Sequence, residues 1–466
     1  MSVLDVKIAA ARAVGELARR AGRGGGTSLP GKVLTRLDPK AIERLASRLP
    51  QGCAIVSSTN GKTTTAAMAA AILERGGTRL VHNRAGANMA GGVASTLLQA
   101  AHRGGAIDGQ LGLFELDEFW LDQVVPQLRP RAVLLGNLFR DQLDRYGELE
   151  TIADRWAATV AGLPAGAALA CNADDPLIAD LGRHHAGTRY FGVEDPAMAT
   201  AEMQHASDSK HCRRCGHAYE YDAVYMGHLG VYHCPNCGQR RPDPTVSAHD
   251  IRLHGTRGAT FVLAAGSDQA EIELPLPGLY NVYNALGAAT LCLSLGVSLE
   301  TIAAGLAAVS PAFGRAERVT IGAQELSILL IKNPAGANEI LRTLALEPDE
   351  LDLLAILNDR TADGRDISWV WDADFEMLTG HVRRVTCAGT RAAELALRLK
   401  YAGLPEERLT VVPALGAALD AALQASPDGR VFALPTYTAL LELRAELQRR
   451  GHVSAFWSRE TDGVRP

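Results

Sequence analysis

Residues 53–65 read CAIVSSTNGKTTT, and the fold of the chain turns on how they are taken. Cys53-Ala54-Ile55-Val56 is a short apolar run that predicts a buried strand. The stretch TTTAAMAAAILERGG, from Thr63, predicts a helix that stops at Gly76-Gly77. Strand, loop and helix in that order, with Gly-Lys-Thr at the helix start, is the arrangement in which backbone N–H groups and a lysine cradle phosphate oxygens. Thr59, Asn60, Gly61, Lys62, Thr63 and Thr64 are therefore the nucleotide-binding candidates. Gly61 allows close backbone approach, Lys62 brings a point charge to the β- and γ-phosphates, and the Thr63 hydroxyl is a Mg²⁺ ligand. The general phosphate-loop pattern would also put glycine five residues before Gly61, where Val56 stands. A chance Gly-Lys-Thr is the blander reading, and its position behind a buried strand argues against it.

Outward from the loop, TRLVHN, QLGLFELDE, PRAVLLGNL and GAALACNADDP read as further strands separated by helical segments. That alternation predicts a parallel α/β sheet with ligands at the carboxyl ends of its strands. ATFVLAAG and AEIELPLPG look like an antiparallel pair, and NVYNALGAATLCLSLG like a helix. From about Glu317, short buried strands (LSILLI, LDLLAILND, RRVTCAG, LTVVP, RVFALPTY) alternate with helices again, a second α/β unit of Rossmann-like character. The expected organisation is a helical and linker segment over residues 1–50, an ATP-binding domain over 51–316 and a carboxyl-terminal domain over 317–466. GRGGGTSLPGKV is read as linker.

At 466 residues the chain is too long for one core. A net charge of -5 gives no global case for nucleic acid. The opening KIAAARAVGELARRAGRGGG is locally basic, which leaves two readings, a solvated helix or one that touches a membrane surface. No apolar run has the roughly 18 residues needed to span a bilayer, and the opening lacks the apolar core of a secretory signal. A cytoplasmic location follows as the expectation, with the inner membrane face as the second reading.

The chain has eight cysteines. Cys53, Cys171, Cys292 and Cys387 sit singly in apolar surroundings and read as small core residues. Cys212 and Cys215 form one Cys-x₂-Cys, Cys234 and Cys237 another, with 18 residues between, and each pair is followed by glycine. This spacing predicts a closed, structural zinc ribbon inserted at about residues 205–244. His211, His217 and His233 flank the knuckles and are read as bystanders. A redox dithiol pair is the rival, without a thioredoxin-like context.

The short loop resembles that of the Mur ligase family, Gly-Thr-Asn-Gly-Lys-Thr-Thr, with Ser58 at the leading glycine. Serine tolerates most turn conformations short of a strongly positive φ, so the loop is expected to work. Other segments carry the same resemblance. FELDE supplies Glu115, a carboxylate for Mg²⁺, beside Asp117 and Glu118. NLFRDQLDRYGELE has Gln142 where the family has histidine, and Arg155 stands near the position of a carbamylated lysine, which a guanidinium cannot replace. CNADDP matches the segment that follows, Asn281 and Asn284 match asparagines near the nucleotide, and Arg315 matches an arginine that reaches the phosphates. Lys332, Asn333 and Pro334 align with the opening of the family's last domain, where Leu329 replaces an aspartate.

NRAGANMAGG, LNDRTADGRDISWVWDADFE, ALPTYTALLELR and the inserted ribbon narrow the likeness to the MurT branch of that family. The resemblance implies ATP-dependent amidation of the α-carboxyl of D-glutamate in the peptidoglycan stem peptide of lipid II, through an acyl phosphate. Lys62, Glu115 and Arg315 would act at the phosphoryl group, with Mg²⁺ held by Thr63 and Glu115. Ammonia would come from a separate GatD-like glutaminase, since this chain lacks a Gly-x-Cys-x-Gly elbow. Of Asp359, Asp363, Asp366, Asp372 and Asp374, Asp366 is the expected carboxylate facing that partner's catalytic histidine, against the plainer reading of turns and N-caps. The alternatives are an amino-acid ligase of Mur or folylpolyglutamate type and a nucleotide-binding scaffold without catalysis.

Overall fold

The computed structural model describes residues 3–20, 28–83, 87–102, 106–140, 149–201, 203, 207–309 and 315–453. The chain divides into two compact units, Met1–Ser310 and Pro311–Pro466.

The first unit is built on strands β1 (Cys53–Ser57), β2 (Leu80–His82), β3 (Leu111–Glu115), β4 (Ala132–Leu135), β5 (Ala168–Asn172) and β6 (Thr188–Val193). These are followed by a separate hairpin, β7 (Glu220–Met226) and β8 (Leu229–His233), and by β9 (Val246–Leu253), β10 (Ala259–Ala265) and β11 (Asp268–Leu274). The nine-stranded sheet runs β11-β10-β9-β6-β5-β4-β1-β3-β2. From β2 through β9 all neighbours are parallel, and β9, β10 and β11 finish the sheet antiparallel, including the pair expected from ATFVLAAG and AEIEL. Strands β1, β3 and β4 are buried at every residue, which is why they read as unbroken apolar runs. β1 lies between β3 and β4, so the chain leaves it in opposite directions along the sheet, and the crevice at its carboxyl end is the natural ligand position.

On one face the Lys62–Arg75 helix packs against the Leu279–Ser294 and Leu299–Ala307 helices. The opposite face carries a core that includes Ile55, Phe114 and Trp156 and draws in the helices Ala90–Ala100, Leu121–Leu128 and Leu149–Ala161. The expected linker needs correction here. Residues Leu29–Leu37 form a helix with proline in its first turn, and a Cβ on Gly31 would overlap the carbonyl of Gly91. Gly31 is a close-packing residue between two helices and not a flexible joint.

The second unit has β12 (Arg315–Ile321), β13 (Gln324–Leu329), β14 (Leu351–Ile356), β15 (Val382–Ala388), β16 (Leu409–Val411) and β17 (Arg430–Pro435), in the order β12-β13-β17-β14-β15-β16. Only β12 is antiparallel, at one edge. The helices Pro334–Leu344, Ala392–Tyr401, Leu415–Ala425 and Tyr437–Arg449 complete the unit. Among the described residues no helix is long and apolar enough to cross a membrane.

Candidate functional site

The loop leaves β1 at Ser58 and enters the helix at Lys62, with Gly61 as its N-cap at φ +85°. A Cβ at Gly61 would overlap Asn284 Oδ1, so glycine is required by both backbone angle and space. Ser58, at the unusual first position, is buried and avoids positive φ. Its hydroxyl donates to the Asn60 carbonyl at 2.7 Å and closes the turn. The structure thereby explains how serine stands where the family has glycine.

A residue given no role by sequence reading, Asn137, frames the other side. It lies just past β4, and its Oδ1 accepts from Asn60 N at 2.8 Å while its Nδ2 donates to the Asn60 carbonyl at 3.0 Å. Thr59 N donates to the Asn137 carbonyl at 2.9 Å, and Phe139 N donates to Thr59 Oγ1 at 3.2 Å. Its sequence signal is its place at the head of NLFRDQLDRYGELE, the segment that resembles the family, just past an apolar strand.

Lys62 is 8% exposed. Its ammonium donates to Glu118 Oε2 at 2.6 Å and to the Thr59 carbonyl at 3.2 Å. Burial pulls its pKa down, but the carboxylates of Glu118, Asp117 and Glu115 outweigh burial and hold it raised, so the lysine stays charged. Glu118, not Glu115, is thus the lysine's counter-ion. Glu115 is buried at the end of β3 and accepts from Thr63 Oγ1 at 3.1 Å and from Asn88 Nδ2 at 3.3 Å. Asn83 fixes the backbone there, accepting from Glu115 N at 2.9 Å and donating to its carbonyl at 2.8 Å. Thr63 and Glu115 together form an oxygen pair suited to a hard cation such as Mg²⁺. Thr64 is buried in the first turn of the same helix.

Asn284 Oδ1 accepts from Thr65 Oγ1 at 3.1 Å, and Asn284 Nδ2 donates to Asn281 Oδ1 at 3.0 Å. Asn284 therefore faces Gly61 and the first turn of the helix, and Asn281, which also donates to the Pro277 carbonyl, stands behind it. Arg155 makes a bidentate pair with Asp122 and donates to the Phe119 carbonyl at 3.0 Å. It ties down the loop that carries Glu118. Gln142 lies outside the described residues. Arg315 opens β12 opposite Leu329, and its side chain also lies outside them. Leu329 is buried, and Asn333 caps the Pro334–Leu344 helix by accepting from Gly336 N at 2.9 Å.

The four clustered cysteines converge. The Sγ atoms of Cys212, Cys215, Cys234 and Cys237 all lie within 4.8 Å of one another. Two pairs stand at 3.5 Å, close to the ~3.8 Å edge of a tetrahedron with zinc–sulfur bonds of about 2.3 Å. The knuckles are near copies. Gly216 and Gly238 have φ of +74° and +73°, and each donates to the carbonyl of the first cysteine of its pair. Hydrogen bonds from Asn236 and from the His217 backbone bring the Cys215 thiol down to about 6, whereas Cys237 is pushed up to about 12 beside the other thiols, so the four share their protons and the case for a metal rests on their convergence. The donor set fits a structural zinc ion, and His211, His217 and His233 are not part of it among the described residues. Cys53, Cys171, Cys292 and Cys387 are buried and isolated from it.

The aspartates of the second unit divide by contact. Asp363 is buried and accepts from Thr438 N at 2.7 Å and from the Thr438 hydroxyl. Asp374 is bonded to Asn338, and Asp359 to Arg391 and Thr390. Asp372 is exposed at the end of the short Ser368–Trp371 turn. Asp366 is exposed, accepts from Ser368 N at 2.8 Å and is held below its usual range by that bond.

Residues 56–292 match the Mur ligase middle domain and residues 330–440 the MurT ligase C-terminal domain. Among solved structures, a pseudomurein peptide ligase type C from Methanothermus fervidus shares the fold, with TM-score 0.64 and 22% identity over 86% of this chain and 79% of that one. Lipid II isoglutaminyl synthase (glutamine-hydrolyzing) subunit MurT of Streptococcus pneumoniae is 33% identical over 92% of this chain and 93% of its own length. The protein of the same name from Staphylococcus aureus is 32% identical over 93% and 96%. With both its domains and its near full length matched, this chain belongs to the MurT family of Mur ligases.

Proposed function

We propose that this chain is the amide-forming subunit of a glutamine-hydrolysing lipid II isoglutaminyl synthase, acting on the α-carboxyl of the stem-peptide D-glutamate. The observation that carries this is the near full-length likeness to two proteins named for that activity. The loop residues supply the chemistry. The substrate carboxylate attacks the γ-phosphorus of ATP, ADP leaves, and an acyl phosphate forms. Ammonia then attacks the acyl carbon, loses a proton, and inorganic phosphate departs. Lys62 and Arg315 offset charge on the transferring phosphoryl group. The backbone of Thr59–Thr64 cradles the phosphates, with Asn281 and Asn284 fixing the helix behind it. Mg²⁺ would be held by Thr63 and Glu115, where it supplies charge neutralisation. Because Lys62 is paired with Glu118, an arriving phosphate exchanges one anion for another and the buried ammonium is never left unpaired. The four cysteines would hold a structural zinc ion.

Ammonia is supplied by a GatD-like glutaminase in a two-chain complex, and Asp366 is the carboxylate we assign to that partner's histidine. The enzyme works in the cytoplasm at the inner membrane face. That last point rests on the lipid-linked acceptor and not on the opening helix. Lys7 pairs with Asp38, and Arg12 donates to the carbonyls of Leu98 and Ala101, so two of the helix's cations are engaged internally.

The test feeds the purified chain Mg-ATP, ammonium and lipid-linked muropeptide and reads the product by mass spectrometry. A carboxyl-to-amide mass change is expected without the glutaminase. No change, with or without the glutaminase, overturns the reading. In the two-chain complex, Asp366→Ala should lower the glutamine-fed reaction and leave the ammonia-fed one intact. Loss of both, or of neither, removes Asp366 from that role.

A further inference from the structure

Within the first unit, the hairpin β7–β8 of the cysteine ribbon drives its turn against the segment that follows β4. His228, at the tip, is fully buried. Its ring packs on Phe139 with centroids 4.6 Å apart, and its Nε2 stands 3.4 Å from Asp175 Oδ2. Neither ring nitrogen has a hydrogen-bond partner. A buried imidazole with no hydrogen bond beyond this longer approach to a carboxylate costs free energy and needs a reason. The same Asp175 oxygen accepts from Leu138 N at 2.9 Å. A second contact comes from the amino-terminal flank of the ribbon. Asp208, four residues before Cys212, accepts from Arg140 N at 2.9 Å and pairs with the Arg140 side chain at 2.5 Å.

Both contacts bear on one segment, residues 137–140, and that segment is the wall of the phosphate loop. Asn137 holds both polar backbone groups of Asn60, and Phe139 N holds the Thr59 hydroxyl. A continuous run of packing and hydrogen bonds therefore leads from the four thiols through the hairpin to the loop. We infer that the cysteine ribbon is a brace for the nucleotide site, with His228 and Asp208 as positioning residues that couple zinc occupancy to nucleotide affinity. This rests on the nucleotide-binding reading of the loop. The coupling is reciprocal by thermodynamic necessity, so bound nucleotide must raise zinc affinity by the same factor that bound zinc raises nucleotide affinity.

The experiment uses the full chain with zinc bound and Mg-ADP as the probe. Mg-ADP affinity is measured by calorimetry for the wild type, His228→Ala and Asp208→Asn, with zinc content and melting temperature checked for each. Zinc affinity is then measured by equilibrium competition with a colorimetric chelator, with and without saturating Mg-ADP. Both variants are expected to retain zinc and lose affinity by about fivefold or more. Mg-ADP should tighten zinc binding to the wild type, and this gain should shrink in both variants. If His228→Ala loses zinc, Asp208→Asn, which lies outside the knuckles, carries the test. Zinc-loaded variants that bind Mg-ADP like the wild type, or a zinc affinity indifferent to Mg-ADP, overturn the brace. A wild type that binds no Mg-ADP refutes the nucleotide reading itself, a distinct result.

Discussion

Glu115, Asp117 and Glu118 crowd the end of one buried strand, whereas Asp359, Asp363, Asp366, Asp372 and Asp374 are strung along a loop of the second unit. Both stretches are acidic and both invite a functional reading. In the first, the carboxylates converge. Glu115 meets Thr63, Glu118 meets Lys62, and all three bear on one buried ammonium. In the second, the carboxylates disperse, and three of them are occupied by Thr438, Asn338 and Arg391. The difference teaches that charge density along the chain says little. Burial and convergence on a common partner are what distinguish a site from a series of turns.

The comparison can be broken most forcefully at Glu115. Glu115→Ala should lower ammonia-fed amidation about 10²- to 10³-fold, read as product per folded enzyme, because it removes a carboxylate assigned to hold the Mg²⁺ that offsets charge on the phosphoryl group. A loss under tenfold would reduce the first cluster to a structural one. Asp363→Ala should act on stability instead. It leaves the half-buried Thr438 donors without their acceptor and should cost about 1–3 kcal/mol in denaturant unfolding, with the rate per folded molecule unchanged. A rate loss without a stability loss would contradict its assignment as an internal prop. The smallest effect is expected at exposed Asp372, where alanine should shift stability by no more than about 0.5 kcal/mol and leave both nitrogen sources equally productive. A selective fall in the glutamine-fed reaction would move the partner-facing carboxylate from Asp366 to Asp372.

Much of this was legible along the chain for a physical reason. A phosphate loop is local: the strand, the glycine of positive φ, the lysine and the threonine are adjacent in sequence. The cysteine ribbon is local in the same sense, since each knuckle is a Cys-x₂-Cys turn closed by its own glycine. Parallel strands buried on both faces announce themselves as apolar runs, so β1, β3 and β4 could be read directly. The departures from the family pattern, Ser58 and Arg155, were visible too, although not what they do.

What only the tertiary structure decided is everything carried by partners distant in the chain. Glu118 as the counter-ion of Lys62, Asn137 as the wall of the loop and Asn83 as the anchor of Glu115 depend on strand order, which puts β3 and β4 on either side of β1. Gly31 reads as a linker until the helix facing it is known. His228 gives no signal in sequence, because nothing in a hairpin turn says that its tip will be buried beneath Phe139. Local geometry is encoded by neighbouring residue types, whereas convergence is set by how the sheet orders its strands and what packs on their ends.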